Sequence, residues 1–180
     1  MVDWKSIYDK YYADNRPLYD LLTVHSRCVA DKALALCGAH PELGADTVFV
    51  EEAAMLHDIG IFLTDAAPIH CFGTNPYIAH GYLGAELLRS EGLPRHALVC
   101  ERHTGTGLSL ETIVSRNLPI PHRDMRPVSI EETLVCFADK FYSKTRPDRE
   151  KSISDVERGL AKFGPDEVNR FREWVKLFII

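Results

Sequence analysis

Apolar side chains recur along this chain at spacings of three and four and hardly ever alternate. That period places them on one face of a helix. It predicts a short helix over 4–12 and a long one over 17–37, with Leu18, Leu21, Leu22, Cys28, Val29, Ala33 and Leu36 as the buried stripe. A third helix is predicted over 46–58, with Val50, Ala53 and Ala54 inward and Gly60 as a left-handed cap. Pro68, Gly73 and Pro76 mark a loop over 61–76, followed by helices over 76–90, 94–103 and 110–115. After an irregular segment at 117–127, Ser129 and Glu132 form a capping box for a helix over 130–143. That helix is apolar nearly all round, which places it at the centre. Gly164-Pro165 divides two final helices, and the last carries Val168, Phe171, Val175 and Phe178 on one stripe and ends in residues 177–180. The stripe suits core packing, with a homodimer contact as the alternative. The expectation is an all-α bundle in one domain over 1–180, with about five core helices within 18–145 and peripheral helices at 151–179.

Composition adds exclusions. The 180 residues are 46% hydrophobic and 26% charged, ordinary values for a globular chain with one core. The net charge of -5 argues against a surface that coats a nucleic-acid polymer. Neither a signal peptide nor a membrane span is visible in the sequence. Five widely spaced cysteines, an odd number without C-x-x-C, read as reduced thiols in a cytoplasmic protein rather than a zinc-thiolate site.

Several histidines and aspartates fall where the helical pattern calls for apolar residues. His25 lies in the stripe of the long helix, and His57 continues the series of the third helix with Asp58 beside it. His80 opens one helix, His103 closes another, and Asp139 lies inside the most apolar helix. A carboxylate there is costly to bury unless it is paired or bound to a cation. Imidazole and carboxylate ligands suit iron, manganese, zinc, cobalt or nickel, with magnesium as a further option. His25, His57, Asp58 and Asp139 would complete one ion, and His80 and His103 would serve a second. Asp58 is the candidate bridge and catalytic orienter of water. Lys140, Lys144 and Arg146, the two lysines on one helix, together with Arg102 and the loop residue His70, are candidates for substrate contact. His40, His96 and His122 read as surface or structural residues. Thr104 and Thr106 are read as possible ligand hydroxyls or as a turn.

The order His25, His57-Asp58, Asp139 resembles the HD superfamily of metal-dependent phosphohydrolases. Ala53 to Gly60, AAMLHDIG, is similar to its HDIG form, while His80 in IAHGYLGAELLR and His103 in CERHTGTG resemble the six-ligand, binuclear branch. The resemblance spans about residues 18 to 145. It implies an all-helical fold and a small phosphorylated substrate, such as a metabolite or nucleotide, held at a divalent metal pair. Ile61 stands where such proteins often carry lysine, and Thr-Gly-Thr-Gly follows His103 in place of the GYP element of cyclic-di-GMP phosphodiesterases. The layout is similar in part to symmetrical diadenosine tetraphosphatases. The same ligand order also resembles HD-fold di-iron oxygenases, and a non-catalytic metal- or nucleotide-binding module is the third reading.

Overall fold

A computed structural model describes residues 2–179. Among them, nine α-helices carry the fold. α1 spans Trp4–Tyr12, α2 Arg16–Ala39, α3 Thr47–Leu56, α4 His80–Ser90 and α5 Pro94–Arg102. α6 spans Leu110–Ser115, α7 Ile130–Asp139, α8 Ile153–Leu160 and α9 Pro165–Phe178. Their starts follow from local chemistry. Asp3, Asn15, Asp46, Ser109, Ser129 and Ser152 each accept a hydrogen bond from a first-turn amide. At α7 the capping box is only half made: Ser129 accepts from the Glu132 amide, but the Glu132 carboxylate accepts from Val128 N one residue further out. Ile180, the last residue of the expected apolar tail, lies outside the described residues.

Three sequence expectations are corrected. The loop after Gly60 contains a two-residue antiparallel hairpin, β1 (Asp65–Ala66) and β2 (Cys71–Phe72), too short for an alternating pattern to register. The helix expected to reach residue 143 ends at Asp139, and the chain turns at Lys140. Lys140 and Lys144 therefore do not share a helix. Gly60 is not a left-handed cap, since its φ is -88°. Its glycine is required by close approach: a Cβ there would press on Gly84 N and His80 O, with Gly84 Cα at 2.7 Å.

Two apolar clusters form the interior. One joins Val29, Ala30 and Ala33 of α2 to Val50 and Ala53 of α3, Phe137 of α7 and Phe171 and Phe178 of α9. The terminal stripe thus packs into the core, with Phe171 and Phe178 against the Phe137 ring at 5.3 and 5.1 Å. The second cluster joins Tyr8 and Tyr12 of α1 to Leu18 and Leu22 of α2, Leu56, Ile59 and Ile61, and Ala85, Leu88 and Cys100. The boundary between them crosses α2 between Leu22 and Val29, and the α3 end between Met55 and Leu56. His25 lies at that boundary, and the His57-Asp58 pair follows it directly, between Leu56 and Ile59. No helix among the described residues is long and apolar enough to cross a membrane.

Candidate metal centre

α3 ends at Leu56, which leaves backbone carbonyls without helical partners. Side chains from α1 fill this role: Tyr8 donates to Met55 O, and Tyr12 donates to Ile59 O at 2.6 Å. The turn carrying His57 and Asp58 is fixed by these bonds and by the glycine contact with α4. Burial pushes the phenols of Tyr8 and Tyr12 up, so both remain donors.

The six expected ligands converge. His25, His57, Asp58 and Asp139 place one ligand atom each within 4.8 Å of one another, and Asp58, His80 and His103 do the same. Asp58 belongs to both groups through different oxygens. Its Oδ2 lies 3.2 Å from His25 Nε2 and 3.1 Å from His57 Nε2, while its Oδ1 lies 3.2 Å from His103 Nε2 and 3.5 Å from His80 Nε2. Asp139 Oδ1 is 3.1 Å from His25 Nε2. All six residues are buried.

The chemistry of this set fits metal ions. His57, His80 and His103 each direct Nδ1 to the carbonyl three residues back, Ala54, Tyr77 and Cys100, at 2.6 to 2.7 Å. With the Nδ1 proton donated there, Nε2 is the nitrogen that faces inward and that a metal would take, in His57 after loss of its second proton. In that tautomer His80 Nε2 and His103 Nε2, 3.0 Å apart, would face each other as two lone pairs, an arrangement a cation relieves. Both nitrogens of His25, Nε2 of His57 and both oxygens of Asp58 are buried without an aligned hydrogen-bond partner. Orphaned buried polar atoms of this kind call for a ligand.

Electrostatics separate the two groups. Burial alone pushes the Asp58 carboxyl up, but the Lys144 and His57 charges overcome this and hold it well below the usual carboxylate range. Asp139 is likewise held low against burial, chiefly by Lys140. Burial lowers the His57 imidazole, yet Asp58 and Asp139 raise it to about 9. His80 is depressed to about 3 by burial and the neighbouring His103. Lys140 Nζ pairs with Asp139 Oδ2 at 2.8 Å and donates to the His103 carbonyl at 2.9 Å. Lys144 Nζ lies 2.7 Å from Asp58 Oδ2, an ion pair by distance though not an aligned hydrogen bond. Burial opposes both ammonium groups, but Asp139 and Asp58 raise them above the ordinary lysine value.

A cavity of about 650 Å³ opens beside these groups, with Asp139, Lys140, Lys144 and Tyr77 in its wall. Three candidate substrate contacts are not brought to it. Arg102 is held by both oxygens of Glu132 at 2.8 and 3.0 Å, so it braces α5 against α7. His70 is exposed in the β1–β2 turn, in the left-handed region with φ 61°, and its carbonyl accepts from Asn15 Nδ2. Arg146 is exposed in the turn after Lys144 and is absent from the cavity wall. A one-dimensional neighbourhood says nothing about direction, and adjacent side chains on a helix point apart.

Residues near the site that the pattern did not mark include Tyr77, whose ring stacks on His80 at 4.7 Å. Its position three residues before His80 was the available signal. Glu167 of α9 accepts from Thr106 N and Thr106 Oγ1 at 2.6 and 2.8 Å. Arg170 donates to the carbonyls of Thr106 and Gly107, both at 3.1 Å. Together they clamp the turn that follows His103, so Thr106 is a structural hydroxyl. No local signal links residues 61 positions apart. His96 is buried against Glu52 at 3.2 Å, as a structural histidine.

A helical bundle whose buried boundary is lined by this His/Asp set defines a class, and the sequence comparison agrees. The chain matches the HD domain family over residues 23–143 and belongs to it. An uncharacterized protein of Methanocaldococcus jannaschii is 32% identical over 145 residues, 78% of each chain. A tRNA (cytidine(56)-2'-O)-methyltransferase of Picrophilus torridus is 31% identical over 137 residues, covering 76% of this chain and 36% of that protein. The chain therefore spans only about a third of the length of this second relative. No solved structure matches.

Proposed function

We propose that the protein is a metal-dependent phosphohydrolase with a binuclear centre that acts on a small phosphorylated metabolite or nucleotide. The observation that carries this reading is Asp58, which offers one oxygen to each of two histidine groups beside a cavity that holds Lys140 and Lys144. His25, His57 and Asp139 would hold one ion, His80 and His103 the other, and Asp58 would serve both. Bound cations would supply charge neutralisation at the phosphoryl group and activation of water. The lysines do the remaining electrostatic work. Their ammonium groups are held charged by carboxylates in the wall, and a phosphoryl group entering the cavity gains charge-assisted hydrogen bonds from them. Tyr77, pushed up to about 12 mainly by burial, keeps its phenol proton at neutral pH and offers a donor at the same wall. The related segment in a tRNA methyltransferase raises RNA as a substrate, but the net charge of -5 and the enclosed ligand set favour a small molecule.

The test is phosphate release from a panel of sugar phosphates, nucleotides and dinucleoside polyphosphates, with protein loaded in turn with Mn²⁺, Co²⁺ and Fe²⁺. Tight metal binding without phosphate release in any loaded form would refute the hydrolase reading. So would a mixed-valent di-iron signal in electron paramagnetic resonance that changes with substrate, which would assign the centre to oxygen chemistry.

A further inference from the structure

The family match ends at residue 143, but the cavity beside the metal centre does not. Its far wall is built by later residues: Lys151, then Val156, Gly159 and Leu160 of α8, then Lys162 and Phe163. This segment is anchored. Lys151 N donates to Phe141 O at 2.8 Å, Arg116 donates to the Phe163 carbonyl, and Val156 and Leu160 reach into the main core.

The cavity is too large for a phosphate alone. At about 30 Å³ per water in the liquid, its volume of about 650 Å³ corresponds to roughly twenty waters, within the usual range for organic ligands. Three lysines gather on the side of the metal centre. Lys140 and Lys144 pair with the metal-ligand carboxylates there, and Lys151 Nζ reaches only carbonyls, Lys140 O and Tyr142 O, at 3.3 Å. The other side carries the apolar Val156, Leu160 and Phe163, with Asp155 and Lys162 also in its wall. Phe163 keeps 56% of its surface exposed at the rim, and Tyr142 is half-buried. In the same wall Gly159 leaves open space, where a Cβ would meet no atom within 4 Å. A bare helix backbone flanked by apolar and aromatic side chains makes a slot for a flat group.

We infer that residues 151–163 form a subsite for the organic part of the substrate, and that this part carries a flat aromatic or heteroaromatic ring. Lys151 adds a third positive charge for the phosphate, and the Gly159 surface with Leu160 and Phe163 receives the ring. That this ring belongs to a hydrolysed substrate rests on the phosphohydrolase reading, whereas its binding does not.

Non-hydrolysable phosphonates separate the two. Mn²⁺-loaded protein is titrated calorimetrically with benzylphosphonate and with methylphosphonate, which differ only by the ring. Benzylphosphonate is expected to bind at least tenfold more tightly. Gly159→Leu places a side chain in the open space, its Cβ clear of protein atoms within 4 Å, and Phe163→Ala removes the rim. Each is expected to lower the affinity ratio at least threefold, while Lys151→Gln weakens both probes together. Equal affinity of the two probes for the native protein, no binding of either, or a ratio unchanged in both Gly159→Leu and Phe163→Ala would overturn the inference. If the ratio and its loss in the variants are found but no phosphate is released from ring-bearing esters, the subsite stands and the hydrolase reading fails.

Discussion

Gly60→Ala probes how the metal centre is assembled. The backbone at Gly60 has φ -88°, which alanine adopts freely, so the substitution acts through contact alone. The new Cβ would meet Gly84 N, His80 O and Gly84 Cα, all backbone atoms on α4 or its first residue. Rotamer changes cannot relieve this, and reaching ordinary contact requires α4 to move by about 1 Å, at a cost of about 1–3 kcal/mol. For a chain of this size each kcal/mol lowers the melting temperature by about 2–4 °C, which gives a fall of about 2–12 °C. Because His80 is the first residue of α4, the same displacement moves its Nε2 away from Asp58 Oδ1 and His103. Metal occupancy is therefore expected to fall first in the Asp58, His80, His103 group, leaving the group around His25 filled. Thermal unfolding in chelator and metal content by mass spectrometry measure the two effects. Gly38→Ala is the control, since a Cβ there meets nothing within 4 Å in the last part of α2. It is expected to stabilise by about 0.5–1 kcal/mol through helix propensity. A Gly60→Ala protein that melts with the native one and binds the same metal would refute the close approach of the turn to α4.

Three further outcomes follow from the same geometry. Asp58→Ala removes a ligand from both groups, and His57→Ala removes one from the first; metal per chain is expected to fall in each, and unchanged content in both would refute the site. In metal-free protein, His57 is raised from about 6.5 to about 9 and His80 lowered to about 3. The His57 contribution is full below about pH 6.5 and is lost as pH rises towards 9, while neutral burial of His80 loses stability as pH falls below about 6.5. Chelated protein should thus be most stable near pH 6.5 in denaturant titrations across pH, and stability that climbs steadily from pH 6.5 to 9 would contradict the His57 environment. Glu167→Ala strips Thr106 N and Oγ1 of their acceptor and should cost about 1–3 kcal/mol in urea unfolding. It should also weaken metal binding through the turn after His103, an effect absent if Glu167 only fills space.

Much of this molecule is written locally in the chain. The six candidate ligands were legible because His25, His57, Asp58, His103 and Asp139 interrupt or end apolar helical stripes and His80 opens a helix, positions where imidazole and carboxylate need a partner. The start of α7 was legible through its Ser129 cap, whose bond reaches only three residues. What the sequence could not determine depends on direction and distance. Lys140 and Lys144 reach the centre from a turn, not a helix face, whereas Arg102, next to His103, points to Glu132 instead. Gly60 looked like a cap, but its need for glycine comes from α4, a helix 20 residues further along the chain. The Glu167 clamp and the α8 wall depend on the terminal helices folding back over the bundle, driven by Phe171 and Phe178 packing on Phe137. Local hydrogen bonds and periodicity thus fix the helices and the candidate ligands, while packing of distant apolar surfaces fixes which charges face the cavity.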